Sequence, residues 1–258
     1  MENKKHIMEV TELTIGYKNK TIGSAVNFNL TEGELCAIIG INGIGKSTLL
    51  RTLANLQPKL GGDLVLNELE LEGYSQNDVA RTVSVVLTES LASKNLSVAE
   101  LIALGRQPFT NWLGRLSSKD NTVIQNSLET LQLEALRARK CFELSDGQLQ
   151  RALIARAMAQ DTPLILLDEP TTHLDLHHKV QILKLLKTLV TTHKKTIVFT
   201  SHEIELALQL CDKVLILNGI DNPFGKPAEL INDKHLERLF PTDFIKFDEV
   251  SRTFKVYE

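Results

Sequence analysis

Only three cysteines occur in 258 residues, Cys36, Cys141 and Cys211, and they lie far apart in the chain. An odd, dispersed set of this kind excludes a disulfide framework and fits reduced thiols in a cytosolic setting. Charge of either sign is not in excess, since 29 Lys and Arg face 32 Asp and Glu for a formal net charge of −3. That balance removes the electrostatic reason to expect nucleic acid as a main ligand. No apolar run reaches the roughly 18–20 residues that span a bilayer, so a role at a membrane is expected to run through a partner chain. The opening Met-Glu-Asn-Lys-Lys-His lacks the apolar core of a secretion signal. Low-complexity tracts, long linkers and internal repeats are lacking as well.

What is present is a chain that is 43% hydrophobic, enough for a real core, with its apolar residues grouped in telling places. The run Leu-Cys-Ala-Ile-Ile at 35–39 empties into Gly-Ile-Asn-Gly-Ile-Gly-Lys-Ser at 40–47. A buried strand, a glycine-rich turn and a helix over 46–56 form a phosphate cradle. The glycines let the backbone approach closely, and the helix N-terminus offers N–H groups and partial positive charge. Lys46 reaches the β- and γ-phosphates, and the Ser47 hydroxyl suits Mg²⁺. A second run, Leu-Ile-Leu-Leu at 164–167, ends in Asp168 and Glu169. Acids at the carboxyl end of a central strand sit where open parallel sheets bind ligands. There one carboxylate can hold a metal shell and the next can polarise an attacking water. Ser145, in Leu-Ser-Asp-Gly-Gln at 144–148, caps another helix N-terminus.

Around these anchors, residues 7–15 and 25–30 read as strands, 63–72 as a hairpin after the Gly61-Gly62 turn, and 83–87 as a short buried strand. From Ser97 to about Gln160 the texture is helical, opened by the capping box Ser97-Val-Ala-Glu100, with helices at 119–133 and 146–160. Strand and helix then alternate over 164–167, 176–190, 196–200, 203–210 and 214–217, which implies a mostly parallel sheet covered by helices. Two short helices and a strand at 253–257 are expected in the last forty residues.

This ordered set resembles the ATP-binding subunit of ATP-binding-cassette (ABC) transporters over essentially the whole chain. Residues 40–48 match its Walker A loop, with Gly40, Asn42, Gly43, Gly45, Lys46, Ser47 and Thr48 as the nucleotide-binding positions. Residues 144–148 match the signature loop, with Ser145, Gly147 and Gln148. Residues 164–169 match Walker B, with Asp168 on Mg²⁺ and Glu169 catalytic. Asp175 falls in the D-loop, His202 in the switch-histidine loop, and Tyr17 where an aromatic stacks on adenine. The resemblance implies an α/β P-loop NTPase with a RecA-like, mostly parallel sheet, an antiparallel β subdomain and an inserted α-helical subdomain at approximately 90–160. All of it would form a single ABC ATPase domain over 1–258. It also implies ATP and Mg²⁺ as ligands and a head-to-tail pairing with a second copy, each ATP lying between one Walker A loop and the other signature loop. Lys46, Glu169 and His202 would act on the γ-phosphate and the water, and Asp175 would link the two sites.

Two positions depart from the family. Its Gln after the strand ending near Leu87 is replaced by Thr88, with Glu89 next, and Glu89 is expected to substitute as a metal ligand. Asp146 stands where the signature loop usually has Gly, and its side chain is expected to point away from phosphate. His173, His177 and His178 cluster near the D-loop, but solvated or interface histidines are the better reading than zinc. Phe109 and Trp112 read equally as core or as partner-facing.

The insert, with Ser-Val-Ala-Glu-Leu-Ile-Ala-Leu-Gly-Arg at 97–106 and Gln107-Pro-Phe after it, resembles subunits driving iron-siderophore, haem and cobalamin uptake. Such subunits work on the inner face of the cell membrane, cytoplasmic and peripheral, bound to a separate permease and served indirectly by a substrate-binding protein. The alternatives are a soluble ABC ATPase without permease, such as an iron–sulfur assembly type, or an importer ATPase for another cargo. A degenerate cassette would have lost Lys46, Glu169 or His202, and all three are present.

Overall fold

A computed structural model describes residues 5–18, 20–89, 91, 93–240, 242 and 244–257. Most of the opening segment inspected for a secretion signal therefore lies outside the described residues. The chain starts with β1 (His6–Tyr17) and β2 (Lys20–Thr31), then β3 (Leu35–Ile39), α1 (Lys46–Leu53), β4 (Gly61–Leu66) and β5 (Leu69–Glu70). Strands β1 and β2 run longer than their alternation suggests. Bulges at Glu12 and Ala25, both at positive φ, break the two-residue period, and Asn27 braces the bulge by accepting the Glu12 N–H at 2.8 Å. The β4–β5 turn places Asn67 and Glu68 at φ 48° and 70°, the twist that suits a two-residue hairpin.

Next come α2 (Gln76–Thr82), capped by Ser75, and β6 (Val83–Val86). The helical insert follows with α3 (Val98–Ala103), α4 (Ser118–Thr130) and α5 (Asp146–Ala159), each opened by a serine capping box at Ser97, Ser117 and Ser145. The remainder is β7 (Leu164–Leu167), α6 (Leu176–His193), β8 (Thr196–Ser201), α7 (Ile204–Leu210), β9 (Lys213–Ile216), β10 (Phe224–Gly225), α8 (Pro227–Asn232), β11 (Ile245–Asp248) and β12 (Thr253–Val256). The expected second short helix of the C-terminal region is a single 3-10 turn, His235–Arg238. The expected terminal strand has an unforeseen partner in β11, and Phe240, Phe247 and Phe254 stack edge to face beneath the pair.

The main sheet has the order β10-β9-β3-β8-β7-β6, parallel from β9 to β6 with β10 antiparallel at one edge. Strands β3, β7 and β8 are buried at every position, as strands covered on both faces must be. Leu35, Ala37 and Ile39 face the core shared with the insert and α6, while Cys36 and Ile38 face the core under the antiparallel sheet β2-β1-β4-β5. The two cores clamp β3 from both sides, so the loop that leaves its carboxyl end is held rigidly. In the insert, Arg106 is buried with its Nε 2.8 Å from Asp120 Oδ1 and its guanidinium 4.1 Å from the Phe109 ring centroid. Trp112 is 91% exposed, which settles it as a surface residue. Among the described residues no helix is long and apolar enough to cross a membrane.

Candidate functional site

Because β3, β8 and β7 are neighbours, the loops at their carboxyl ends converge. The loop after β3 needs its glycines. Gly45 has φ +111°, and a Cβ there would lie 2.6 Å from Ile22 Cγ2. That close approach presses the β1–β2 hairpin, which carries the half-exposed Tyr17, against the loop. Gly40 leaves no more room, since a Cβ would meet the Leu217 carbonyl oxygen at 2.6 Å. Asn42 and Gly43 sit exposed at the tip, and Thr48 is buried in the first turn of α1. No side chain caps α1, so its first N–H groups remain available to an anion. Lys46 is buried, and its Nζ donates to the carbonyls of Gly40 at 2.9 Å and Ile41 at 3.2 Å. Burial pushes its ammonium below the ordinary lysine range, with Glu169 and then Asp168 pulling the other way.

Asp168, 2% exposed, collects three hydroxyls. Ser47 Oγ donates to its Oδ1 at 2.9 Å, Thr200 Oγ1 to the same oxygen at 2.7 Å, and Thr88 Oγ1 to Oδ2 at 3.2 Å. These hydroxyls satisfy a carboxylate whose burial would otherwise be costly. Thr200 also accepts the Glu169 N–H at 2.8 Å. Glu169 itself is held at φ +46°, a strained backbone for a non-glycine residue of the kind that accompanies functional sites. Its Oε2 accepts from Thr172 Oγ1 at 2.9 Å and lies 3.8 Å from His202 Nδ1. On the other side of the ring, His202 Nε2 is 3.3 Å from Glu203 Oε1.

Glu89, expected as a metal ligand, lines one cavity with Asp168 and Glu169 but is paired elsewhere. Its carboxylate is bound by the Arg51 guanidinium at 2.7 Å and is largely exposed, whereas Thr88 reaches Asp168. Thr88 is short, but Oγ1 leaves Cβ directly and the end of β6 lies beside β7, so the reach suffices. Glu89 stays on the wall of the adjoining cavity of about 190 Å³, with Leu153, Thr172 and Asp146 among its other linings.

Ser145, Gly147 and Gln148 lie elsewhere. Ser145 receives the Gln148 N–H and starts α5. These three residues line a separate hollow with Arg151, His178 and Gln181, and none of residues 40–48 borders it. Asp146 faces the other way, into the cavity beside Glu169. Asp175 caps α6 by accepting the His178 N–H at 2.9 Å, and its Oδ1 is 2.8 Å from His178 Nδ1. These bonds, the backbone one first, hold its carboxyl below the ordinary aspartate range. A Cβ on Gly147 would come within 3.1 Å of His178 Cδ2, so His178 packs directly against the 144–148 loop.

One chain thus assembles Lys46, Ser47, Thr88, Asp168, Glu169 and His202 into a single site and leaves Ser145, Gly147, Gln148 and Asp175 at a second place. Sequence reasoning gave no role to Thr172 or Thr200, read His178 only as a solvated or interface histidine, and missed Glu203. Thr200 carried a usable sign, a polar residue next to last in a fully buried strand beside β7.

A family model described as "ABC transporter" matches residues 24–172. The petrobactin import ATP-binding protein FpuD of Bacillus anthracis is 36% identical over 90% of this chain and 86% of its own. Among solved structures, an inward-facing conformation of an ABC transporter assigned to the metal-chelate type superposes with TM-score 0.80 at 31% identity, covering 91% of this chain and 89% of that one. A dimeric, post-hydrolysis ATP-binding cassette bound to ADP and Pi gives TM-score 0.72 at 26% identity, covering 86% and 99%.

Proposed function

The chain belongs to the ABC transporter family as an ATP-binding, ATP-hydrolysing subunit, and from that premise we propose that it drives import of an iron-siderophore, haem or cobalamin-type complex through a separate membrane permease. We read it as one ATPase domain over 1–258 with a helical subdomain at about 90–160. It works on the inner face of the membrane, with a substrate-binding protein delivering cargo to the permease. The petrobactin-importing relative and the metal-chelate type structure support this cargo class.

One observation carries the mechanism. Within a chain, Ser145, Gly147 and Gln148 line a hollow that the phosphate loop does not border, so each nucleotide site is completed by these residues of a second copy. The dimeric cassette holding ADP and Pi supports such a pairing. The α1 N-terminus and Lys46 bind the β- and γ-phosphates, Tyr17 stacks on the adenine, and Asn42, Gly40, Gly43, Gly45 and Thr48 shape the cradle. Two helix N-termini, one from each copy, face the γ-phosphate, and their attraction to it closes the pair. Glu169 orients the attacking water and takes its proton, while His202 holds the γ-phosphate. Asp175, at the head of α6, joins the two sites across the interface. Loss of the γ-phosphate removes the bridge and the pair reopens.

Asp168, Ser47 and Thr88 offer oxygen donors only, a set that fits Mg²⁺, which prefers hard oxygens and keeps phosphates and waters as its other ligands. Bound there, the ion would neutralise charge on the transferring phosphoryl group. Thr88→Val should raise the Mg²⁺ concentration for half-maximal ATPase by roughly 10-fold, the scale of losing one orienting contact. Glu89→Ala should leave it unchanged, and a reversal of the two results would restore Glu89 as the ligand.

The cargo is tested by uptake into cells deleted for this chain, with a ferric hydroxamate, haem and cobalamin as the panel. Loss of one of these and its restoration by the wild-type chain is expected. Undiminished uptake of all three would overturn the cargo class and leave the ATPase reading standing.

A further inference from the structure

We propose that Glu203 is a positioning residue for His202 and that Lys179 holds Glu203 in place, so that the first turn of α6 sets the orientation of the imidazole. The proposal rests on the reading of His202 as the group that holds the γ-phosphate. It comes from a chain of contacts that crosses three elements. Glu203 Oε1 lies 3.3 Å from His202 Nε2 and is bonded at the same time by Lys179 Nζ from α6. The side chains of Glu203 and Lys179 are 23% and 20% exposed, so the pair is largely shielded from water. The Glu203 backbone is fixed as well. Its N–H donates to Ser201 Oγ at 2.9 Å, and its carbonyl accepts the Ala207 N–H at 3.0 Å as α7 begins.

The consequence is geometric. A histidine on a loop, 40% exposed, would otherwise rotate among several staggered wells. The Glu203 carboxylate beside Nε2 confines the ring, with Nδ1 facing Glu169 Oε2 3.8 Å away. Lys179 neutralises Glu203 and confines its carboxylate, so the anchor neither swings out to solvent nor adds uncompensated negative charge beside a phosphate site that already holds Asp168 and Glu169. Because Lys179 lies four residues after Asp175, whose side chain caps the same turn, the D-loop and the imidazole are tied to one rigid helix start. A partly exposed ion pair contributes little to stability, and its effect here falls on where a side chain points.

Steady-state ATPase of the full chain tests this through a double-mutant cycle. Glu203→Ala should lower kcat about tenfold with KM for ATP within about twofold, because misplacing a group that acts in the transition state costs turnover rather than ground-state binding. Glu203→Gln, which keeps an acceptor oxygen, should recover most of that loss. Lys179→Met should lower kcat in the same direction by a smaller factor. In a His202→Ala background, Glu203→Ala should change the rate by less than about twofold, since the anchor has nothing left to orient. A wild-type kcat in Glu203→Ala, or an undiminished tenfold effect without His202, would overturn the proposal. If Glu203→Ala fails to fold, the same cycle run with Lys179→Met decides it. A wild-type rate in His202→Ala alone would instead overturn the reading of His202, a result distinct from either failure.

Discussion

In the Glu169→Gln variant, ATP hydrolysis is expected to fall by about 10²–10³-fold while the protein in saturating Mg-ATP becomes a stable dimer. Both halves follow from where Glu169 sits. Its N–H is fixed on Thr200, its carboxylate on Thr172, and its backbone is held at φ +46°, so the side chain has one place to be. Glutamine fills the same volume and can still accept from Thr172, but it cannot take a proton from water. On the proposed reading, ATP binding through Lys46, Ser47 and the α1 N-terminus would not involve that proton, so closure should proceed and the opening step that follows hydrolysis should be blocked. Light scattering with and without Mg-ATP reads the dimer, and phosphate release reads the rate. A variant that stays monomeric at saturating Mg-ATP would remove the paired-site model. A variant that turns over at the wild-type rate would remove Glu169 as the base.

The parts of this site legible in the sequence are those built from contiguous residues. An apolar pentapeptide at 35–39 followed by a glycine-rich turn, and an apolar tetrapeptide followed by two acids, place strand ends and chemistry in one stroke. The Ser97–Glu100 capping box of α3 and the N-cap Ser145 of α5 are equally plain, because a cap lies within a few residues of the groups it bonds. Ser75 caps α2 by accepting the Asp78 N–H, but seven residues without an apolar stripe do not read as a helix. What the sequence hid lies between distant residues. Arg51 and Glu89 are 38 apart, and Lys179 and Glu203 are 24 apart, and nothing local states that they meet. Glu89 looked like a metal ligand because it is the only acid near the missing Gln. The arginine one helical turn beyond Ser47 pairs with it, and the Thr88 hydroxyl contacts Asp168. Charge favours Glu89 at this position and reach favours Thr88, and the sequence alone does not rank the two.

Replacing Arg106 with Met should cost about 3–5 kcal/mol of stability at pH 7, the range for stripping one partner from a buried ion pair. Arg106 and Asp120 are 4% and 6% exposed, and the guanidinium does more than balance a charge. It donates to Asp120 Oδ1 and to the Ala159 carbonyl, both at 2.8 Å, and lies over Phe109. It thereby joins the start of α4 to the end of α5, the helix whose other end carries Ser145, Gly147 and Gln148. Methionine fills the space and leaves a buried carboxylate and a carbonyl without their donor. The pH dependence separates the charge from the packing. Asp120 titrates at about 2, held down first by the Ser117 hydroxyl and N–H and then by Arg106. An unfolded aspartate titrates near about 3.9. A depressed native value means the contribution is fully present above the unfolded one and is lost as pH falls toward about 2. In Arg106→Met the native value moves up toward the unfolded one, so less stability remains to be lost on acidification. The difference between wild type and variant in urea midpoint should therefore be widest above about pH 5 and narrow steadily below about pH 4. Arg106→Lys should fall between them, keeping the charge but not the planar fork that serves carboxylate and carbonyl together. A gap that stays constant across that range would assign the effect to lost packing and leave Ser117 alone as the partner that keeps Asp120 ionised.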